Sequence, residues 1–361
     1  MPNLETIRYA AMHRSENEDI AAVLQSLTFD KVIFAEIIDG GQSIGYVSRN
    51  LSNFKVIDGS HHPYDTPGVW PDDQLIPRPW VRTCGFYDCS EKDWVYIPFY
   101  FAQANCLPHH LEFYTRTHVH FTKEVKDYKF SCINRIPKLE RIWFYSKLHQ
   151  RPFYKDTIAT FQNKHPDYDS KTLFIEGFDY DVEGASPETY YRRIDNETAT
   201  YFKNVIHKTL PHTTEFDTDK NQVFLDRTIN HPAFNNAYVN IISEHLYDKT
   251  FLSEKTVKPL ASAQLFLMAG PRGAVKHLED MGFDTYRDYI DHDHYDHEAD
   301  WQTRLQKMLD VAEDLSDQDL RAINNETITR RERNREYLFS FEFRNVIFSQ
   351  LNDWIYNNAP I

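Results

Sequence analysis

The sequence predicts an α/β protein, because apolar runs typical of buried parallel strands are each followed by an amphipathic helical segment. Residues 265–268 are apolar without alternation and precede a Gly270-Pro271 turn, which indicates a strand buried on both faces. A helical segment with one apolar face follows between Gly273 and Gly282. We therefore expect a strand and a helix that pack as one unit of a layered sheet.

A second strand pattern leads into the most informative stretch of the chain. Residues 237–243 read as a strand, and Ser253 is a good N-cap for a helix that carries Glu254 and Thr256 in its first turn. Such a helix start suits a ribose and a diphosphate. The Glu254 carboxylate can accept sugar hydroxyls, while Lys255 and the helix N–H groups face the phosphate charge.

A third unit precedes these two. Residues 128–148 predict a strand, a turn and a helix, with Pro137 near the helix start and an apolar stripe along one face. Arg135 lies in the turn, where a planar, permanently charged guanidinium suits a diphosphate leaving group. A surface arginine that pairs with Glu140 is the alternative.

The segment from Ser253 to Phe283 resembles the donor-site segment of GT-B glycosyltransferases. It reads Ser-Glu-Lys-Thr-x-Lys-Pro, then the strand, the Gly-Pro turn and a helix ending Leu278-x-x-Met-Gly-Phe. The likeness is nearest to a group found in phages and large viruses, and more distant to fucosyltransferase-type enzymes. It implies a GT-B-like α/β fold, with two Rossmann-like domains facing a central cleft and a C-terminal helix that crosses back.

The resemblance also implies the ligands. The donor would be a nucleotide sugar, with a UDP-sugar or a GDP-sugar expected, and no metal would be obligatory. The donor-binding residues would be Ser131, Asn134, Arg135, Arg141, Glu244, Ser253, Glu254, Lys255, Thr256 and Lys258.

The expected domain division follows from the same reading. Residues 1–125 would form the acceptor-side domain and residues 126–335 the nucleotide-sugar domain. Residues 336–361 contain an amphipathic segment rich in Phe, Leu and Ile, which we expect to pack back on the first domain. A length of 361 residues is enough for two cores.

The first half of the chain contains a candidate ligand-binding loop. A strand pattern over residues 31–39 runs into a glycine-rich turn that contains Gly40, Gly41 and Gly45. Such a turn lets the backbone approach a ligand at the carboxyl end of a sheet. A tight strand-to-helix turn explains it equally well, and the spacing is not that of a dinucleotide fingerprint.

The base that removes a proton from the acceptor hydroxyl would come from the same region. Candidates at strand ends and in the loops after them are Asp39, Asp58, His61 and His62. A polar turn without a catalytic role is the alternative for the His-His-Pro sequence. Residues 94–101 are expected to form another, aromatic strand.

The net charge limits which acceptors we expect. A formal charge of -14 disfavours broad binding to a phosphate backbone. The acceptor is either a hydroxymethylated pyrimidine in DNA, a surface glycan or a protein. The most basic run, Arg330 to Arg335, reads as a solvated helix face, and a basic groove formed by Arg330, Arg331, Arg333 and Arg335 would favour DNA.

Location and rival functions complete the expectations. The 4 cysteines lack CxxC spacing, and no stretch has the apolar length of a membrane span, so we expect a cytoplasmic protein, in the host cytoplasm if viral. One rival is a binding module without turnover. Another is a metal-dependent hydrolase using the histidine pairs 109–110 and 118–120, or the acidic His-rich run 291–298, which we read instead as a capped loop. The oligomeric state stays open.

Overall fold

A computed structural model describes residues 32–35, 55–58, 80–84, 94–96, 98–106, 125–134, 139–161, 195–210, 212, 231–244, 250–350 and 353. Within these ranges the chain is α/β, as the sequence predicts, with two parallel four-stranded sheets. The strands of the first sheet follow one another in chain order, and those of the second do not.

The first sheet consists of β1 (Val32–Ala35), β2 (Lys55–Asp58), β3 (Trp80–Cys84) and β4 (Trp94–Tyr96). Neighbouring strands pair in parallel in the order β1-β2-β3-β4. The strand predicted within residues 31–39 is thereby confirmed over Val32–Ala35.

The predicted strand over residues 94–101 is wrong in its second half. The strand ends at Tyr96, and helix α1 spans Phe99–Cys106. Pro98 explains the change, because proline cannot donate to a strand ladder and is favoured where helices begin. Its carbonyl accepts the first helical hydrogen bond, from the N–H of Ala102 at 2.9 Å.

The second sheet consists of β5 (Tyr128–Ile133), β6 (Thr157–Thr160), β7 (Ala237–Ser243) and β8 (Leu265–Ala269). The strands pair in parallel in the order β6-β5-β7-β8. Every residue of β7 and β8 is buried, which agrees with their apolar, non-alternating sequences.

The remaining helices surround or follow these strands. They are α2 (Leu139–His149), α3 (Asn196–Tyr201), α4 (His231–Asn236), α5 (Glu254–Ala261), α6 (Ala274–Asp280), α7 (Trp301–Ser316), α8 (Leu320–Glu326), α9 (Ile328–Leu338) and α10 (Phe341–Ile347). Among the helices described here, none combines the length and the apolar character needed to cross a bilayer.

The main core joins the second sheet to helices from both ends of the described chain. The ring of Phe101 on α1 lies 5.9 Å from the rings of Phe283 and of Phe343 on α10. The backbone N–H of Tyr96 donates to Oε1 of Gln350 at 3.0 Å. Helix α1 therefore shares a core with the second sheet, while the division into 1–125, 126–335 and 336–361 stays a prediction.

Two arginines of the basic run on α9 depart from the solvated face that the sequence predicts, while Arg333 is exposed as expected. Arg331 is only 1% exposed, and its guanidinium donates to the carbonyls of Ala263 and Asn324. Ala263 follows the last turn of α5, and Asn324 lies in the last turn of α8. The carboxyl ends of helices carry partial negative charge, so two of them stabilise this buried cation.

Arg330 is also engaged. Its guanidinium donates to the carboxylates of Asp284 and Asp288 at distances from 2.6 to 2.8 Å. Arg331 is thus buried and Arg330 is paired with two acids, whereas Arg333 is exposed and Arg335 is half-buried, so the four arginines do not line one basic groove together.

Candidate functional site

The second sheet has a topological switch point between β5 and β7. The chain leaves β5 toward β6 on one side, and leaves β7 toward β8 on the other. Ligands of open parallel sheets bind outside the carboxyl ends of the strands at such a point. Asn134 directly follows β5, and Glu244 directly follows β7.

The two central strands are also joined by side chains. Ser131 on β5 is in register with Asn240 on β7, and the Asn240 amide donates to Oγ of Ser131 at 2.9 Å. Both side chains are buried. The hydroxyl of Ser131, which the resemblance places among the donor ligands, is therefore bonded to the neighbouring strand.

Asn134 has an unused acceptor at the β5 side of the crevice. Its side chain is 2% exposed, and its amide nitrogen donates to Sγ of Cys132 at 3.2 Å. Its Oδ1 has no hydrogen-bond partner among the described residues. Buried polar atoms are nearly always paired, so this oxygen is available to a donor group of a ligand.

Two further residues flank this side. Arg141 lies buried on α2, within the part of the chain that follows β5. Burial raises the pKa of the Cys132 thiol to about 12, so the thiol stays protonated and is unsuited to act as a nucleophile.

On the β7 side, Glu244 forms a buried network with the start of α5. The side chain is 0% exposed, and its carboxylate accepts from the N–H of Ser253 at 3.0 Å and from its hydroxyl at 2.6 Å. It also accepts from Oγ1 of Thr256 at 2.5 Å. These three residues, expected to touch the donor, lie beneath the surface and hold the first turn of the helix.

The backbone N–H groups at this helix start already have partners. The N–H of Lys255 donates to Oγ of Ser253 at 3.2 Å, which confirms Ser253 as the N-cap. The N–H groups of Thr256 and Val257 donate to the carbonyl of Ser253 at 3.1 and 3.4 Å. The expectation that these N–H groups face phosphate is therefore corrected, because the cap residue satisfies them locally.

Charged side chains instead form the accessible layer. The side chains of Glu254 and Lys255 are 16% and 24% exposed, and Nζ of Lys255 lies 2.6 Å from Oε1 of Glu254. Burial raises the pKa of Glu254, but the charges of Lys255 and Lys258 outweigh it and lower that pKa to about 2. Glu254 is therefore an ionised acceptor beside two lysines.

The neighbouring helix start, that of α6, is closed by an acid that the sequence analysis did not single out. The buried Asp296 carboxylate accepts from the N–H groups of Val275 and Lys276, each at 3.1 Å. Its own carbonyl accepts from the N–H of Gly273 at 2.8 Å. Asp296 lies 21 residues beyond Val275, so no local capping pattern reveals it.

The run 291–298 that contains Asp296 is a capped loop, as expected. Asp291 accepts from the N–H of His294, and His292 is buried between the Thr285 carbonyl at 2.8 Å and the Tyr295 hydroxyl at 2.6 Å. Within the described ranges, no three His, Cys, Asp or Glu side chains come together as a metal site would require.

Several candidate residues lie outside the described residues. These are Asp39, Gly40, Gly41, Gly45, His61, His62 and Arg135, together with the histidine pairs 109–110 and 118–120. Asp58 ends β2, in register with Ala35 of β1, at the carboxyl edge of the first sheet. The base assignment thus stays a prediction.

Comparison of the chain with protein-family models, with curated proteins and with solved structures gave no match.

Proposed function

We propose that this protein is a glycosyltransferase that binds a nucleotide sugar, a UDP-sugar or a GDP-sugar, at the carboxyl edge of the second sheet and transfers the sugar to an acceptor hydroxyl. The observation that carries the proposal is the charged layer of Glu254, Lys255 and Lys258 on the first turns of α5. This layer adjoins the carboxyl end of β7, one of the two strands at the switch point.

The charges suit a ligand that carries both hydroxyls and phosphates. An ionised Glu254 accepts hydrogen bonds from sugar hydroxyls. Lys255 and Lys258 offset the negative charge that develops on a diphosphate leaving group. In this proposal the lysines, with Arg135 as the resemblance implies, take the place of an obligatory metal.

The acceptor follows less directly. A hydroxymethylated pyrimidine in DNA needs a basic surface for the phosphate backbone. Arg330 and Arg331, two of the four arginines of such a groove, are engaged within the fold, which weighs against DNA. A surface glycan or a protein is therefore the acceptor that we favour, with DNA as the alternative.

Binding of the donor is the first test. We would titrate UDP-, GDP-, ADP- and CMP-sugars by calorimetry and thermal shift into the wild type and the variants Glu254→Gln and Lys255→Ala. Lys276→Ala is a matched control, because Lys276 also forms a helix ion pair, with Asp280, and its side chain is 52% exposed. A ligand that binds the native state raises the melting temperature.

We expect one nucleotide family to bind the wild type and the Lys276 variant equally. The Glu254 and Lys255 variants should each bind about tenfold more weakly, which corresponds to about 1.4 kcal/mol. Absence of binding by every donor, with and without divalent metal, would contradict the proposal. Binding without transfer to any glycan, protein or DNA acceptor would instead favour a binding module without turnover.

A further inference from the structure

A chain of hydrogen bonds runs from the buried acid behind α5 to the accessible lysine in front of it. Ser253 Oγ lies 2.6 Å from Glu244 Oε2, 3.2 Å from the backbone nitrogen of Lys255 and 3.3 Å from Nζ of Lys255. Nζ of Lys255 in turn lies 2.6 Å from Glu254 Oε1. One hydroxyl thus connects a buried carboxylate to an ammonium group of the proposed donor site.

We propose that Glu244 is a positioning residue for that site, acting through the Ser253 hydroxyl to hold the Lys255 ammonium where the donor's phosphates bind. This inference rests on the proposed function for its ligand, although the effect of Glu244 on Lys255 is measurable without one. The resemblance implies that Glu244 contacts the donor, whereas its buried carboxylate accepts hydrogen bonds from Ser253 and Thr256.

The direction of each hydrogen bond follows by elimination. Both nitrogens of Lys255 can only donate, so they occupy the two lone pairs of the Ser253 oxygen. The Ser253 hydroxyl proton must therefore point to Glu244. An acceptor at Glu244 is what keeps both lone pairs directed at Lys255.

The contact between Nζ of Lys255 and Oγ of Ser253 matters because Glu254 also binds the sugar in the proposed complex. In the proposed complex, Glu254 accepts hydrogen bonds from hydroxyls of the donor, which weakens its contact with Lys255. The Ser253 oxygen is then the remaining fixed partner of the ammonium. The contacts to Glu254 and Ser253 leave a third N–H of the ammonium for a phosphate oxygen.

Glu244→Gln tests this chain with little change of shape. The backbone N–H of Ser253 can only donate, so it requires the amide oxygen of the glutamine on its side. The amide nitrogen then faces the Ser253 hydroxyl and donates to it. One lone pair of Ser253 is lost to Lys255, and the hydroxyl proton must turn away.

Asp296→Asn is the matched control. Asp296 is also a buried acid that accepts hydrogen bonds at a helix start, but its partners are the N–H groups of Val275 and Lys276 on α6. Loss of its charge perturbs the fold at the neighbouring helix, and among the described residues Asp296 makes no hydrogen bond to Ser253 or Lys255. Ser253→Ala serves as a second route to the same broken link if the Glu244 variant fails to fold.

The first measurement is the rate at which N-acetoxysuccinimide acetylates Lys255, followed by mass spectrometry, with Lys129 on β5 of the same sample as the reference. We expect several-fold faster acetylation of Lys255 in Glu244→Gln and in Ser253→Ala, and the wild-type rate in Asp296→Asn. An unchanged Lys255 rate in folded Glu244→Gln would overturn the inference. An equal increase in Asp296→Asn would do so as well.

The second measurement uses the nucleoside diphosphate of whichever donor binds. We expect about tenfold weaker binding by Glu244→Gln, the same loss in Ser253→Ala, and no further loss in the double variant, because both act on one link. The matching nucleoside, which lacks phosphates, should bind wild type and Glu244→Gln equally; an equal loss would show a general structural defect and refute the positioning role. If no nucleotide binds the wild type, the proposed function fails, while the acetylation rates still decide the role of Glu244.

Discussion

Helices α5 and α6 follow adjacent strands, and both begin at the same edge of the second sheet, yet they treat their first turns differently. At α5, the buried Glu244 bonds the cap residue Ser253 and supports the turn from behind. At α6, the buried Asp296 bonds the helix N–H groups directly, and the cap is Gly273, which has no side chain to offer.

The difference lies in what occupies the first N–H groups, which is the cap residue Ser253 at α5 and the distant acid Asp296 at α6. Asp296 fills the space in front of α6 with its own carboxylate. Glu244 bonds the cap residue Ser253 and leaves the charged pair of Glu254 and Lys255 partly exposed. A helix N-terminus in an α/β layer is therefore not a ligand site by position alone, because a cap residue or a distant acid can already occupy its N–H groups.

Among single substitutions, the largest expected effects come from removing the two acids. Glu244→Ala leaves three buried donors of Ser253 and Thr256 without their acceptor, and we expect a loss of about 3 kcal/mol in the free energy of unfolding. Asp296→Ala uncaps two N–H groups at a helix start, and we expect a loss of about 1.5 kcal/mol. Urea denaturation at pH 7 measures both values, and an equal or reversed order would remove the distinction between the two helix starts.

Acid should weaken the α6 side first. Burial lowers the pKa of His277, which lies on α6, and of His292, which lies in the loop beyond it, to about 4 in each case. These values lie below the usual pKa of about 6.5, so the unfolded chain binds more protons between those limits. Stability therefore falls as the pH drops below about 6.5, by about 3 kcal/mol for each histidine when pH 4 is reached.

The α5 side should respond only at lower pH. The pKa of Glu254 is lowered to about 2, so its contribution to the free energy of unfolding is present above about pH 4.5 and is lost as the pH falls toward 2.

Urea titrations at pH 7 and pH 5, on the wild type and on His277→Gln and His292→Gln, measure the loss of stability that the two histidines cause. Each variant should show a smaller difference between the two pH values; a wild-type difference that both variants retain would contradict the assignment.

The smallest effect concerns the cap of α6. Gly273 has a φ of 74°, and a Cβ added there would meet nothing within 4 Å, so only backbone strain opposes a side chain. We expect Gly273→Ala to cost about 1 kcal/mol. Gly273→Asn should cost less, since asparagine tolerates the left-handed region better. A larger loss for the asparagine variant would point to a steric cause instead.

Local sequence patterns predict those parts of this site that depend on neighbours in the chain. Ser253 as a cap, the strands β7 and β8 and the helix after Gly273 all follow from residues within a few positions of each other. The helix after Pro98 is not evident from the sequence because its aromatic residues favour strands, although the proline marks the end of the strand.

Contacts between distant segments lie beyond such patterns. Arg331 meets Ala263 across 68 positions, so its burial has no local sign and an arginine-rich helix reads as solvated. Glu244, directly after β7, meets Ser253 across 9 positions. Its residue type is visible in the sequence, but whether it faces a ligand or a helix depends on the packed sheet.

The two buried charges at the ends of α5 bear on how this site could change its substrate. Glu244 secures the amino end of the helix and Arg331 the carboxyl end, each with hydrogen bonds that no solvent-exposed residue supplies. Substitutions at either anchor reach a ligand only through the position of the helix. Changes in ligand preference would then be expected at Glu254, Lys255 and Lys258, because these partly exposed residues can be substituted while the helix keeps its position.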